Sequence, residues 1–187
     1  MSAAPVQAAP SYLDLFLPRY TFASHHQISV RAPQAKTFAV LESSALGNAP
    51  LAKLLMRLRG YGKLARSDGE SLAEQLSRLG FIRLSVVPPH EMVFGIVGRF
   101  WRPDGCLVPL TAAEFVLFQQ PGYARAAWNL AVHELAPGKS LLATETRIQV
   151  FGREAQLKFG AYWMLVKPFS GLVRRSLLRS VRRLAEG

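Results

Sequence analysis

The chain has 187 residues, of which 50% are hydrophobic and 19% charged, and its net charge is +11. This length predicts one domain with a sizeable core, and the composition excludes disorder, collagen and coiled coil as descriptions of the whole chain. The sequence has no apolar run long enough for a transmembrane helix and no signal-peptide pattern. Its one cysteine, Cys106, has no partner for an internal disulfide. Together these features favour a cytoplasmic protein.

The first part of the chain predicts short elements. Residues 1–11 are rich in Ala, Pro and Ser, which predicts a disordered N-terminal tail before a single domain at residues 12–187. A helical turn, a strand and three short helices are then expected, in that order, at residues 12–18, 22–30, 33–41, 50–59 and 71–79. The last of these helices opens with Ser71-Leu-Ala-Glu74, a capping-box pattern.

The second part of the chain predicts an antiparallel meander and a long helix. Strand-like runs separated by turn residues lie at 81–87, 91–100, 122–135 and 140–151. A further short strand at 107–110 and a capped helix at 111–119 fall between the second and third runs. Residues 153–185 predict one helix kinked at Pro168, with an apolar stripe toward the sheet formed by Phe159, Tyr162, Val166, Phe169, Val173, Leu177 and Leu184. The fold class is therefore α+β.

Residues spread over most of the domain carry a resemblance to a known superfamily. They are Ala32-Pro33 and Thr37-Phe38, residues 98–105, 122–129 and 144–147, and Tyr162-Trp163, Pro168, Ser170-Gly171 and Arg174-Arg175. In this order, over about residues 20–185, they resemble an uncharacterised bacterial branch of the START-like (SRPBCC) superfamily, which includes polyketide cyclase and dehydratase-like proteins. The resemblance implies a helix-grip fold, in which a curved antiparallel sheet wraps around the long C-terminal helix. It also implies an apolar cavity between them for a hydrophobic ligand.

Strand alternation predicts which side chains face that helix. The inward set is Met92, Phe94, Ile96 and Phe100, then Ala124, Ala126, Trp128, Leu130 and Val132, then Leu142, Thr144, Thr146, Ile148 and Val150. The outward set is Arg99, Trp101, Glu145 and Arg147, with the Glu–Arg pair expected as a cross-strand ion pair.

Ten residues are expected to bind the ligand: Phe94, Ile96, Phe100, Trp128, Leu130, Thr144, Thr146, Phe159, Tyr162 and Val166. Thr144 and Thr146 either offer hydroxyl groups to a ligand or are ordinary β-branched strand residues. Tyr162 either donates a hydrogen bond to the ligand or fills the core.

Signals for catalysis are weak in this sequence. His26 shares the inward register of the first strand and would be an acid–base candidate together with Tyr162. His25 points to the opposite face, so the two histidines cannot share a metal, and no metal or cofactor motif is present. Cys106 has no base near it in sequence and is expected to be unreactive.

The sequence therefore predicts binding of a small hydrophobic or amphipathic ligand, with no cofactor and no evident catalysis. Two alternatives stay open. One is a cyclase or dehydratase-like enzyme. The other is a module that binds lipid or another anionic surface through Arg175, Arg179, Arg182 and Arg183, since residues 155–187 hold seven Lys or Arg and one acid. A solvated basic face is the plainer interpretation, and no motif predicts specific nucleic-acid binding or an oligomeric state.

Overall fold

The computed structural model describes residues 11–44 and 71–187. Within this part of the chain, one antiparallel sheet has the strand order β1-β5-β4-β3-β2. Its strands are β1 (Phe22–Val30), β2 (Ile82–Val87), β3 (Glu91–Gly98), β4 (Ala124–Ala136) and β5 (Lys139–Val150). The helices are α1 (Leu13–Phe16), α2 (Gln34–Ser43), α3 (Leu72–Arg78), α4 (Ala112–Leu117) and α5 (Arg153–Glu186). The protein is thus α+β, an open antiparallel sheet with a long C-terminal helix.

Most of the predicted elements are confirmed. Both capping boxes form, at Ser71 with Glu74 and at Thr111 with Glu114, and β4 turns into β5 at a hairpin that pairs Ala136 with Lys139. The predicted strand at 107–110 is wrong. At this edge of the sheet, β3 pairs with β2. The 107–110 segment donates one backbone hydrogen bond to the end of β3, from the Val108 N–H to the Val97 carbonyl. The helix predicted at 50–59 and residues 1–10 of the tail lie outside the described residues.

The core on the helix-facing side of the sheet follows the predicted alternation. Met92, Phe94 and Leu142 are buried there against Leu177 and Val181 of α5. Side chains alternate along a strand, and residues paired across neighbouring strands point to the same face of the sheet. An inward residue on β3 therefore implies that the residues paired with it on β4 and β5 also point inward. This cluster holds the C-terminal half of α5 against the sheet.

The stripe predicted along α5 is wrong in part. Phe169 is 50% exposed and Leu184 is 46% exposed, whereas Trp163 and Val181 are buried. The inner face instead runs through positions 159, 163, 166, 170, 174, 177 and 181, which keeps to the 100° turn per residue of an α-helix. The predicted stripe was chosen by apolar character alone. Between Val166 and Leu177 it therefore departed from the face of α5 that meets the sheet.

The opposite face of the sheet carries a second core that the alternation did not reveal. α1 and α4 lie on it, and Leu13, Leu17 and Phe115 pack with Val93 and Val97. An outward position in a strand therefore does not mean that the side chain is exposed to solvent. No helix within 11–44 and 71–187 has the length and apolar character needed to cross a bilayer.

One outward assignment and one predicted ion pair need correction. Trp101 packs edge-on against Phe159 of α5, with ring centroids 6.2 Å apart, because β3 ends at Gly98 and alternation no longer fixes the side chains beyond it. Glu145 and Arg147 do pair, at 2.8 Å, but along one strand rather than across two. Arg147 also pairs with Asp14 at 2.6 Å, which ties α1 to the sheet.

Candidate ligand cavity

A cavity of about 630 Å³ lies between the sheet and α5. This volume falls within the roughly 300–1,000 Å³ typical of small-molecule sites. Its walls are contributed by β3, β4 and β5, by the segment between α3 and β2, by the loop after β3 and by α5. They consist of Leu79, Phe81, Ile96, Phe100, Trp101, Arg102, Pro103, Gly105, Leu107, Ala126, Trp128, Thr146, Ile148, Phe159, Tyr162, Trp163, Val166, Ser170 and Arg174.

Burial along the strands shows where the sheet gives way to the cavity. Ile96 is the one residue of β3 that is not buried, and Ala126 is the one such residue between positions 124 and 132 of β4. These two residues face each other across the β3–β4 ladder. The sheet is therefore packed by core on either side of this pair and open to the cavity at the pair itself.

Seven of the ten predicted ligand-binding residues line this cavity, namely Ile96, Phe100, Trp128, Thr146, Phe159, Tyr162 and Val166. Phe94 and Leu130 are fully buried in the core instead. Thr144 is buried and its hydroxyl is used within the protein: it donates to the Asn129 carbonyl at 2.7 Å and accepts from Trp128 Nε1 at 2.6 Å. Whether the seven bind a ligand stays a prediction.

The walls of the cavity are largely aromatic. Phe159 contacts the rings of Phe22, Phe100 and Tyr162, with centroids between 5.1 and 6.4 Å apart. Trp128 is held by its bond to Thr144. Because aromatic clusters of this kind bury large, stiff side chains, the walls have a defined shape.

Arg174 is the one residue on the sheet-facing side of α5 that introduces a charge into this cavity, among the described residues. Its Nη1 donates to the hydroxyl of Ser170 one turn earlier, and its guanidinium lies 5.9 Å from the centre of the Trp128 ring. Its Nε has no hydrogen-bond partner among the described residues. Burial lowers the pKa of Arg174 to about 10, so the side chain is still a cation at neutral pH.

The sequence offered one signal for Arg174 that the prediction did not use. Ser170 and Arg174 stand at core-facing spacing between Val166 and Leu177, where an amphipathic helix ordinarily has apolar residues. A polar pair at such positions marks a break in the core. Thr146 adds a second uncommitted group, since its hydroxyl is buried and has no hydrogen-bond partner among the described residues.

His26 and Tyr162 are not brought together in one pocket. His26 lines a separate depression of about 500 Å³ between β1 and α5, beside Gly171 and Arg175, whereas Tyr162 lines the cavity. The pKa of His26 is lowered, first by burial and then by the nearby positive charges of Arg174, Arg175 and His25. At neutral pH the imidazole is therefore neutral.

Cys106 has a local partner that disfavours its use as a nucleophile. Its thiol donates to Asp104 Oδ2 at 3.2 Å, and this bond, followed by burial, raises the pKa of the thiol. The thiolate is the reactive form of cysteine, so a raised pKa lowers the reactive fraction at neutral pH. In the described ranges, no group of three His, Cys, Asp or Glu side chains could hold a metal ion.

The C-terminal arginines lie outside the cavity. Arg179, Arg182 and Arg183 border a groove of about 610 Å³ together with Arg31 and Glu186. Glu186 accepts a hydrogen bond from the Arg31 backbone N–H at 2.8 Å and pairs with its side chain at 3.7 Å, which fastens the end of α5 to the end of β1.

Comparison with known proteins adds no assignment. No model of a protein family matches the sequence, and no curated protein matches it with significant similarity. The interpretation of the cavity therefore depends on its own shape and chemistry.

Proposed function

We propose that this protein binds a small hydrophobic or amphipathic ligand in the cavity between the sheet and α5. The observation that carries the proposal is a cavity of about 630 Å³ with apolar and aromatic walls and a few polar groups, Arg102, Thr146, Tyr162, Ser170 and Arg174. Ligand sites commonly combine these features, because apolar walls supply affinity and a few polar groups fix orientation.

We also propose a START-like, helix-grip architecture and a cytoplasmic location for this binder. The order of elements supports the first part: a strand, short helices, an antiparallel meander and a C-terminal helix against the sheet. A binder is favoured over a cyclase or dehydratase-like enzyme, because His26 and Tyr162 line different pockets. General acid–base catalysis needs both groups within hydrogen-bond reach of one substrate.

The test is to fill the cavity. Ala126→Phe places a ring at the sheet wall, and Val166→Phe enlarges a second wall residue on α5. Ala161→Phe is the matched control, because Ala161 is exposed on the same helix and outside the cavity. The probe is N-phenyl-1-naphthylamine, an uncharged fluorophore whose emission rises in apolar sites.

We expect saturable binding to the wild type and to Ala161→Phe, and at least about tenfold weaker binding to both cavity variants, which is about 1.4 kcal/mol. Thermal unfolding of each variant verifies that it is folded. Absence of saturable binding to the wild type would contradict the proposal, as would equal binding to all four proteins.

A second candidate function is peripheral contact with an anionic lipid surface through the outer face of α5. Large apolar side chains are exposed there, among them Leu157 at 77%, Met164 at 75% and Leu165 at 70%. By helical spacing, the same face continues toward the C-terminus as Arg175, Arg179, Arg182 and Arg183. An apolar stretch beside a cluster of cations is the pattern of helices that lie in the headgroup region of anionic membranes.

Vesicle sedimentation tests this second function. We expect the protein to bind vesicles that contain phosphatidylglycerol, to bind phosphatidylcholine vesicles weakly, and to be released by salt. Arg179→Gln with Arg182→Gln should weaken binding, while Lys36→Gln with Lys139→Gln, which removes the same charge from exposed sites elsewhere, should not. Leu165→Ser should likewise weaken binding. Its control is Leu117→Ser, which should not, since Leu117 is 77% exposed but lies on α4. Equal losses in both members of a pair would count against this surface.

A further inference from the structure

Four arginines are wholly or partly buried beside the sheet. Arg99 lies over the Tyr123 ring, 4.3 Å from its centre, and does not line the cavity, whereas Arg147 and Arg125 each donate to several acceptors. Arg147 donates to the carboxylates of Asp14 and Glu145. Arg125 donates to the carbonyl oxygens of Phe115 and Val116 and to Gln149 Oε1. Buried cations in proteins ordinarily have such partners, because removing a charge from water without compensation is costly.

Arg174 differs from both. Its described partners are one neutral hydroxyl, that of Ser170, and the face of Trp128. No carboxylate of the described residues lies within 4 Å of it. A guanidinium carries five N–H donors in a planar fork, so most of its hydrogen-bonding capacity is uncommitted by the described residues.

Arg174 lines the cavity, so a ligand there is within reach of the guanidinium N–H donors that the described residues leave uncommitted. α5 rises 1.5 Å per residue, so Tyr162 and Arg174 stand about 18 Å apart along the cavity wall. The region around Tyr162 is aromatic, with Phe100, Trp101 and Phe159 close by. Arg102 also borders the cavity beside Trp101, but its guanidinium pairs with Asp104 at 3.2 Å. The cation that no described carboxylate neutralises therefore lies toward the Arg174 end, away from the aromatic cluster.

We propose that the ligand is an amphiphile with a single carboxylate, whose headgroup pairs with Arg174 while its apolar body lies among the aromatic residues toward Tyr162. This inference depends on the proposed binding function and narrows it to one class of ligand. A carboxylate fits because its two oxygens match the guanidinium fork in a bidentate, charge-assisted pair. Its single charge also neutralises Arg174 without an excess, which a phosphate dianion would not do.

The test compares ligands with one chain and different heads. Calorimetry is used to measure binding of dodecanoate, dodecanol, dodecylammonium and dodecyl phosphate to the wild type, Arg174→Gln and Arg174→Lys. Lys158→Gln is the control, because it removes a charge from an exposed site on the same helix outside the cavity. Binding of N-phenyl-1-naphthylamine is measured in parallel on every variant.

We expect the wild type to bind dodecanoate about 10- to 100-fold more tightly than dodecanol, the range that corresponds to a charge-assisted hydrogen bond. Arg174→Gln should remove that preference by weakening dodecanoate binding far more than dodecanol binding, Arg174→Lys should retain part of the preference, and Lys158→Gln should retain all of it. Dodecanoate binding should also weaken below about pH 5, where its carboxyl group becomes protonated.

Two failures are distinguishable. If the naphthylamine probe and dodecanol bind but dodecanoate gains nothing from Arg174, the carboxylate inference is wrong and the cavity proposal stands. The same conclusion follows if dodecylammonium or dodecyl phosphate binds more tightly than dodecanoate. If neither the probe nor any alkyl ligand binds the wild type, the proposed function itself is wrong, and the inference with it.

Discussion

Replacing Arg174 with methionine should make the unliganded protein more stable, although it removes a charge from the proposed site. Burial lowers the pKa of Arg174 to about 10. Since each pKa unit corresponds to about 1.4 kcal/mol, this depression is a cost of about 3 kcal/mol for keeping the cation in the folded state. The folded protein holds this proton less tightly than the unfolded chain, so the full cost applies at every pH below about 10.

The expected gain is smaller than that cost. Methionine loses the bond to Ser170 and the contact with Trp128, which together stabilise by about 2 kcal/mol. The net prediction is a free energy of unfolding higher by about 1 kcal/mol. For a chain of this length, that is a rise in Tm of about 2–4 °C.

Urea and thermal unfolding at pH 7, followed by circular dichroism, measure this difference. Arg147→Met is the matched control with the opposite sign, because it leaves Glu145 and Asp14 without their cation and should cost about 2 kcal/mol or more. A lower Tm for Arg174→Met than for the wild type would refute the reasoning, since it would mean that the guanidinium is already compensated within the chain.

Three further predictions concern the surroundings of the cavity. Thr144→Val removes the partner of Trp128 Nε1 and should lower the free energy of unfolding by about 1–2 kcal/mol in urea titrations. Glu91→Ala removes the carboxylate that accepts hydrogen bonds from the buried Asn129 amide at 2.7 Å, from the Ser11 hydroxyl and from the Tyr12 N–H, and should cost about 2–4 kcal/mol; an unchanged Tm would contradict this. Because the pKa of His26 is lowered by burial and neighbouring cations, the stability from keeping it neutral should be present above about pH 6.5 and lost as pH falls toward its folded-state pKa. NMR titration of its ring proton checks this, and a midpoint at or above 6.5 would refute it.

Local patterns predicted the elements because their causes are local. A capping box joins residues three apart, and alternation follows from the pleat of a single strand, so Thr111 and the inward residues of β4 could be identified without knowledge of the rest of the chain. The meander and its hairpin followed from turn residues between alternating runs. Seven of the ten predicted wall residues line the cavity for the same reason: they are inward positions of strands or of α5.

What the prediction missed depends on contacts between distant residues. Glu91 accepts a hydrogen bond from Ser11, 80 positions away, and Arg147 pairs with Asp14, 133 positions away. Such contacts place α1 on the far face of the sheet, and no short-range period encodes them. Trp101 likewise turns inward because it lies beyond the end of β3, where packing against Phe159 determines its position.

By itself, the sequence determined the order of most of the described elements, the inward faces of β3, β4 and β5, and the existence of one long C-terminal helix. Tertiary structure decided which face of that helix meets the sheet, and thereby placed Arg174 in the cavity and left Phe169 in solvent. It also separated His26 from Tyr162. The physical reason is that secondary structure follows from interactions over a few residues, whereas a site is a set of distances between residues far apart in the chain, and those distances exist only once sheet and helix have packed.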